Sequence, residues 1–129
     1  MSYGFERHIH DITVDDAIAL VTDALAKEGF GVLTRIDVDQ KLHDKLDVDF
    51  RRYVILGACN PRLAYTALTA DPQIGLLLPC NVVVQQDGAR DVLVSIADPE
   101  AMVRLTHDRA IAPVADEASK RLHRVMDGL

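Results

Sequence analysis

Two cysteines, each followed by an asparagine, are the residues of this chain whose types and spacing suit chemistry. Cys59-Asn60 precedes a proline (Pro61), and Cys80-Asn81 follows one (Pro79). A cysteine just before a helix start faces unpaired backbone N–H groups and the positive end of the helix dipole. A thiolate there is stabilised, and its pKa falls below the ordinary value of about 8.5. Cys59 is therefore a candidate nucleophile or redox thiol. The same turn could hold an anion, although it lacks the Lys and Gly spacing of a nucleotide-binding loop. Cys59 and Cys80 together supply two soft donors. Met102 or a histidine would have to complete a copper(I) or zinc site. None of His8, His10, His43, His107 or His123 is set beside Cys59 by its spacing.

Each of these residues also has a plain structural reading. Asn60-Pro61 is what any helix start favours, and Asp98-Pro99 repeats the device without a cysteine. Cys80 falls in phase with Leu76, Leu78, Val82 and Val84 and suits a small buried hydrophobe. Asn81 sits on the opposite face of an apolar stretch, where a buried amide needs a partner. Pro79 inside a strand implies an edge or a bulge. His8 and His10 share one side of a strand and form half of a metal site or a solvated edge. Asp47 and Asp49 have calcium-like spacing without the glycine turn or distal Glu of that loop.

The elements that must position these residues follow from periodicity. Ser2–His10 reads as a strand. Thr13 caps a helix whose stripe is Val14, Ala17, Ile18, Val21 and Leu25, ending at Gly29. Phe30–Val38 is a β-branched strand, and Asp39 caps a short charged helix with Leu42 and Leu46. Tyr53–Ala58 is apolar on both faces, which predicts an interior strand or one covered by a partner. A helix follows from Asn60 to Asp71-Pro72. Leu76–Gln86 and Ala89–Ala97 form a hairpin through Asp87-Gly88. Asp98-Pro99 opens a short helix with Met102 and Leu105. Pro113 opens the last helix, with Val114, Ala118, Leu122, Val125 and Met126 as its stripe.

This order predicts a single α+β domain over residues 1–129, in two layers, with helices on one face of a mixed or largely antiparallel sheet. A chain of 129 residues can bury a core without staples. Its formal net charge of -6 disfavours a phosphate-backbone partner, so no nucleic acid is expected. No run approaches the roughly 18 apolar residues of a membrane span. The start has no apolar signal region, so the expected setting is cytoplasmic, with both thiols reduced.

Three segments carry a family resemblance: Glu28–Thr34 (Glu-Gly-Phe-Gly-Val-Leu-Thr), Leu56–Pro61 (Leu-Gly-Ala-Cys-Asn-Pro) and Gly75–Val84 (Gly-Leu-Leu-Leu-Pro-Cys-Asn-Val-Val-Val). With Asp98-Pro99 and Met102, they resemble the bacterial and archaeal family called domain of unknown function 302. The resemblance implies a small two-layer α+β fold and a homodimer. It implies no activity, because the family carries no established one. The residues themselves point first to a binding or sensing module that holds a small ligand or soft metal at Cys59, Asn60, Cys80 and Asn81. A thiol enzyme or redox sensor using Cys59 is the alternative, and a structural or interaction domain with purely structural cysteines is the third.

Overall fold

A computed structural model describes residues 1–129. Five strands form one sheet: β1 (Gly4–His10), β2 (Gly31–Asp37), β3 (Tyr53–Cys59), β4 (Cys80–Gln86) and β5 (Asp91–Ala97). Their order across the sheet is β1-β5-β4-β3-β2, and every pairing is antiparallel. The five helices are α1 (Val14–Lys27), α2 (Val38–Leu46), α3 (Pro61–Ala70), α4 (Pro99–Arg104) and α5 (Ala112–Asp127). The result is the expected two-layer α+β fold, with an all-antiparallel sheet rather than a mixed one.

The core lies between one sheet face and the helices α1 and α5. On the sheet side it consists of alternate residues, among them Val54, Leu56, Val82, Val84, Val92 and Val94, all essentially inaccessible to solvent. Alternation delivers them because successive strand side chains point to opposite faces. The helices meet them with Ala17, Val21 and Leu25 from α1, and Leu122 and Val125 from α5. As expected, β3 is interior, flanked by β4 and β2. On the opposite sheet face Ile55, Val83 and Leu93 are half-buried.

α1 begins as its sequence dictates. The Thr13 hydroxyl accepts from the Asp16 N–H at 3.1 Å, and Asp15 and Asp16 sit in the first turn. It ends at Gly29, whose φ of 82° lies in the left-handed region that glycine tolerates. The helix spans the sheet, carrying the chain from β1 at one edge to β2 at the other. At the far end of the chain α5 clasps β1. Arg7 Nη1 donates to the Met126 carbonyl at 2.8 Å, and Phe5 stacks on His123 with ring centroids 4.0 Å apart.

Four sequence expectations fail locally. The strand expected from Leu76 begins only at Cys80. Before it, Pro72–Leu77 forms a 3-10 helix, capped by Asp71 accepting from the Gln73 N–H at 3.0 Å. Leu76 is 83% exposed. A short apolar run does not distinguish strand from helical turn, and here the Asp-Pro start decides. Second, Pro79 precedes β4 instead of interrupting it, so β4 is an interior strand with unbroken register against β3 from Tyr53↔Gln85 to Ala58↔Cys80. The bulge lies in β2, where pairing slips between Val32 and Thr34 and turns Leu33 outward. Third, β4 and β5 are joined by four residues, Asp87–Arg90. The Gln86 amide, donating to the Gly88 and Asp91 carbonyls, steadies that loop. Fourth, α2 starts two residues earlier than a cap at Asp39 would place it, with Asp37 in the cap position and Val38 the first helical residue. Asp39 lies within it, and its carboxylate accepts from the Tyr53 N–H at 3.1 Å.

Leu122 is fully buried where α5 meets the sheet. Leu122→Ala should lower the unfolding free energy by about 2–5 kcal/mol, measured by urea denaturation.

Candidate functional site

The β3–β4 ladder ends with Ala58, the last residue but one of β3, paired with Cys80, the first of β4. Cys59 is therefore the diagonal neighbour of Cys80 at one end of the sheet. The chain leaves β3 straight into α3 and returns to β4 from the 3-10 helix. α4 and the first turns of α5 complete a wall over this end. A second, smaller apolar cluster forms there, built on Ala67, Ile74 and Ile111 with Leu77, Val103 and Val114 packed against it.

Between that cluster and the end of the sheet lies an open pocket of about 230 Å³, lined by 22 residues of which 18 are hydrophobic. Cys59, Asn60, Cys80 and Asn81 all line it, and so does Met102. The structure thus brings together every residue singled out around the two Cys-Asn pairs. No Lys, Arg, His, Asp or Glu side chain is in the lining. The pocket is small, uncharged and largely apolar, with a few polar groups, as small-molecule sites commonly are.

The four residues hold different positions in it. Asn60 is buried, at 7% exposure, and its amide is used at both ends. Its Oδ1 accepts from the Leu63 N–H at 3.3 Å, capping α3, while Nδ2 approaches the Glu28 carbonyl at 3.5 Å. The same carbonyl accepts from Arg121 Nη1 at 3.2 Å. Gly29 makes this approach feasible, since a Cβ there would come within 2.9 Å of Asn60 Nδ2. Asn60 therefore builds the wall. Asn81 is exposed at the rim, which corrects the expectation of a buried amide in need of a partner. The Pro79 ring lies against Gly57, where a Cβ would overlap Thr34 Oγ1 and stand 2.7 Å from Pro79 Cγ.

Both cysteines are free and half-buried. Burial pushes the Cys59 thiol above its ordinary pKa, contrary to the lowering expected at a helix N-terminus. The physical reason is local. The cap position belongs to Asn60, whose side chain already takes a first-turn N–H, and no cation lines the pocket to hold a thiolate. Cys80 is pushed up to about 11, chiefly by burial and further by the charge of a neighbouring Cys59 thiolate. The arrangement is a poor one for a nucleophile at neutral pH.

The other sequence candidates lie elsewhere. His8 pairs with Asp87 at 2.9 Å and His10 with Asp91 at 3.3 Å, on the sheet edge away from the cysteines. No three His, Cys, Asp or Glu side chains come together as a metal-holding group. Spacing alone did not reveal the wall formed by Ala67, Val103, Ile111 and Val114. Its signal was the apolar residues of α3, α4 and the start of α5 that the main core leaves over.

The molecule is thus a two-layer α+β protein with an apolar pocket where its two central strands meet a helical wall. Residues 5–129 match the family model described as "Domain of unknown function DUF302", and the chain belongs to that family. A similar solved structure is that of an uncharacterised conserved DUF302 protein from Bacillus stearothermophilus. It is 31% identical, has a TM-score of 0.85, and the match covers 96% of this chain and 97% of that one. No curated protein matches the chain.

Raised thiol pKa values withhold thiolate at neutral pH. Alkylation by iodoacetamide should therefore be slow at pH 7 for both cysteines and slower for Cys80. Its rate should still be climbing with pH beyond about 8.5, the ordinary thiol value. Mass-spectrometric labelling across a pH series reads this out, and a plateau for Cys59 below pH 8 would contradict it.

Proposed function

We propose that this protein is a homodimeric binding or sensing module that takes a small, uncharged, apolar ligand in the pocket bounded by Cys59, Asn60, Cys80 and Asn81. The single observation that carries the reading is the lining. An apolar cleft without one charged side chain, met by both cysteines, suits a neutral ligand far better than an anion or a cationic metabolite. A buried charge on the ligand would find nothing to pair with and would bear the full cost of desolvation. Asn81, exposed at the rim, is the polar group available to orient a ligand. Asn60 is engaged in holding α1 and α3 together. We take the protein to act in the cytoplasm, where both thiols stay reduced.

A panel of matched aromatic fragments, neutral and carboxylated, tests the pocket by thermal shift. Neutral fragments should raise the melting temperature, and their carboxylated analogues should not. Ala64→Phe, which fills the half-buried pocket wall, should abolish the shift while the far-UV circular dichroism stays unchanged. Equal shifts from charged and neutral fragments would refute the reading.

The dimer draws its support from the β2 edge. That edge strand has an unpaired side and exposes Leu33 and Ile36, with Val48 and Phe50 exposed a little further along the chain. An unprotected apolar edge invites pairing with a second copy about a two-fold axis. Sedimentation velocity at micromolar concentration should give twice the mass of the chain, and Leu33→Lys should return it to a monomer.

A further inference from the structure

The walls of the apolar pocket are held in different ways. α3 is fixed by the Asn60 amide, and α5 by Arg121 Nη1 donating to the Glu28 carbonyl. α4 is tied at its start. The Asp98 carboxylate accepts from Ser119 Oγ at 3.2 Å, and the Asp98 N–H donates to the Tyr3 carbonyl at 3.0 Å. The hydrogen bonds that shape the 3-10 helix Pro72–Leu77 close within the segment. The Asp71 carboxylate accepts from the Gln73 N–H, the Asp71 carbonyl from the Ile74 N–H at 3.0 Å, and the Gly75 carbonyl from the Leu78 N–H at 3.2 Å. Ile74 is its one buried residue, and with Leu77 and Leu78 it joins the satellite cluster. At six residues it is longer than most such runs, whose hydrogen bonds are poorly aligned. A segment with few buried apolar contacts is the kind that opens and closes locally.

Leu76 stands on that segment at the mouth of the pocket. It belongs to the lining, yet it is 83% exposed, more than any other large hydrophobic side chain. The other exposed ones, Leu33, Tyr65 and Leu105 among them, lie outside the lining. A leucine so placed presents apolar surface that an apolar occupant of the cleft would remove from water. Gly75 precedes it, and a Cβ there would meet nothing within 4 Å, so the turn before Leu76 is free of packing on that side.

We propose that the 3-10 helix is the lid of this pocket, pivoting on Ile74 to bring Leu76 over a bound apolar ligand. This rests on the reading of the pocket as a site for a neutral ligand and adds how that site closes. With the pocket empty, Leu76 leaves an entrance. Closure buries the leucine against the ligand and takes both out of water, so the ligand itself favours the closed form. An aliphatic lid offers a charged ligand no partner, which sharpens the preference set by the lining.

The probe for the test is N-phenyl-1-naphthylamine, a neutral arylamine whose emission rises in apolar surroundings, titrated into the full chain. Leu76→Ala should leave the far-UV circular dichroism and the melting temperature of the free protein unchanged, because so exposed a side chain adds little to the fold. It should weaken probe binding roughly tenfold through the apolar contact it removes. Stopped-flow fluorescence should place that loss in faster dissociation. Leu76→Met, which restores the apolar volume, should recover most of the affinity. Leu105→Ala, at a comparably exposed leucine outside the pocket, should change nothing. Amide hydrogen exchange over residues 73–78 should slow when the probe is bound.

Probe affinity and dissociation unchanged in Leu76→Ala would overturn the lid and leave the pocket reading standing. So would bound probe without slowed exchange over residues 73–78. An equal loss in Leu105→Ala would mark adsorption to exposed leucines and overturn the lid, as would a Leu76→Ala variant that loses its melting temperature along with the probe. A wild type that binds no probe overturns the lid and the pocket reading together.

Discussion

The Asn60 side chain is the point on which this end of the molecule depends. One amide joins three elements. Its oxygen starts α3, its nitrogen reaches the carbonyl that ends α1, and Arg121 of α5 donates to that same carbonyl. A buried amide left half-satisfied would cost about 1–3 kcal/mol, so the three helices are constrained to meet in one arrangement. Gly29 serves the same junction through its positive φ and missing Cβ. Arg124 adds an outer tie, pairing with the Glu28 carboxylate at 2.8 Å. The position of the pocket wall relative to the sheet is therefore fixed by polar contacts. Its lining remains free to be apolar.

That freedom explains why a pocket exists here. The main core is completed by α1, α5 and one sheet face, all densely apolar. α3, the 3-10 helix and α4 bring a surplus of small aliphatic side chains that cannot reach this core, so they gather into a satellite cluster. Two clusters meeting at the end of a sheet leave a gap between them. The residues at the ends of the central strands border that gap, which is how two cysteines far apart in sequence come to share it.

Much of this was legible in the amino acids. A short run apolar on both faces identifies β3, period-2 alternation identifies β5, and helical spacing with a capping Thr13 identifies α1. The X-Pro junctions at Asn60 and Asp98 mark helix starts with a known mechanism, and each side chain takes the expected N–H, while Asp71-Pro72, expected only to end α3, also caps the 3-10 helix. What failed was local and had a cause. Gly75–Leu78 is too short for periodicity to tell a strand from the 3-10 helix that forms there. Pro79, expected to mark an edge or a bulge, instead lies just before β4, the bulge is in β2, and Asn81 is exposed. The two Cys-Asn pairs were visible as a cluster of interest, but their environment was not. Whether a thiol sits by a helix dipole or in an apolar cleft depends on what folds over it, and at Cys59 burial raises the pKa.

The clasp between β1 and α5 has a consequence for how the molecule assembles and comes apart. β3, β4 and β5 follow one another in sequence and pair as neighbours, so they can form early and locally. β1 pairs with β5 only after about three-quarters of the chain has been laid down, as Gly4↔Ala97 shows. It is then held by α5, through Arg7 and the Phe5–His123 stack. The two ends of the chain thus lock each other, and neither can peel away without disturbing the other. Local fraying, the usual weak point of small domains, becomes coupled to loss of the whole fold, so the molecule should unfold as a single cooperative unit.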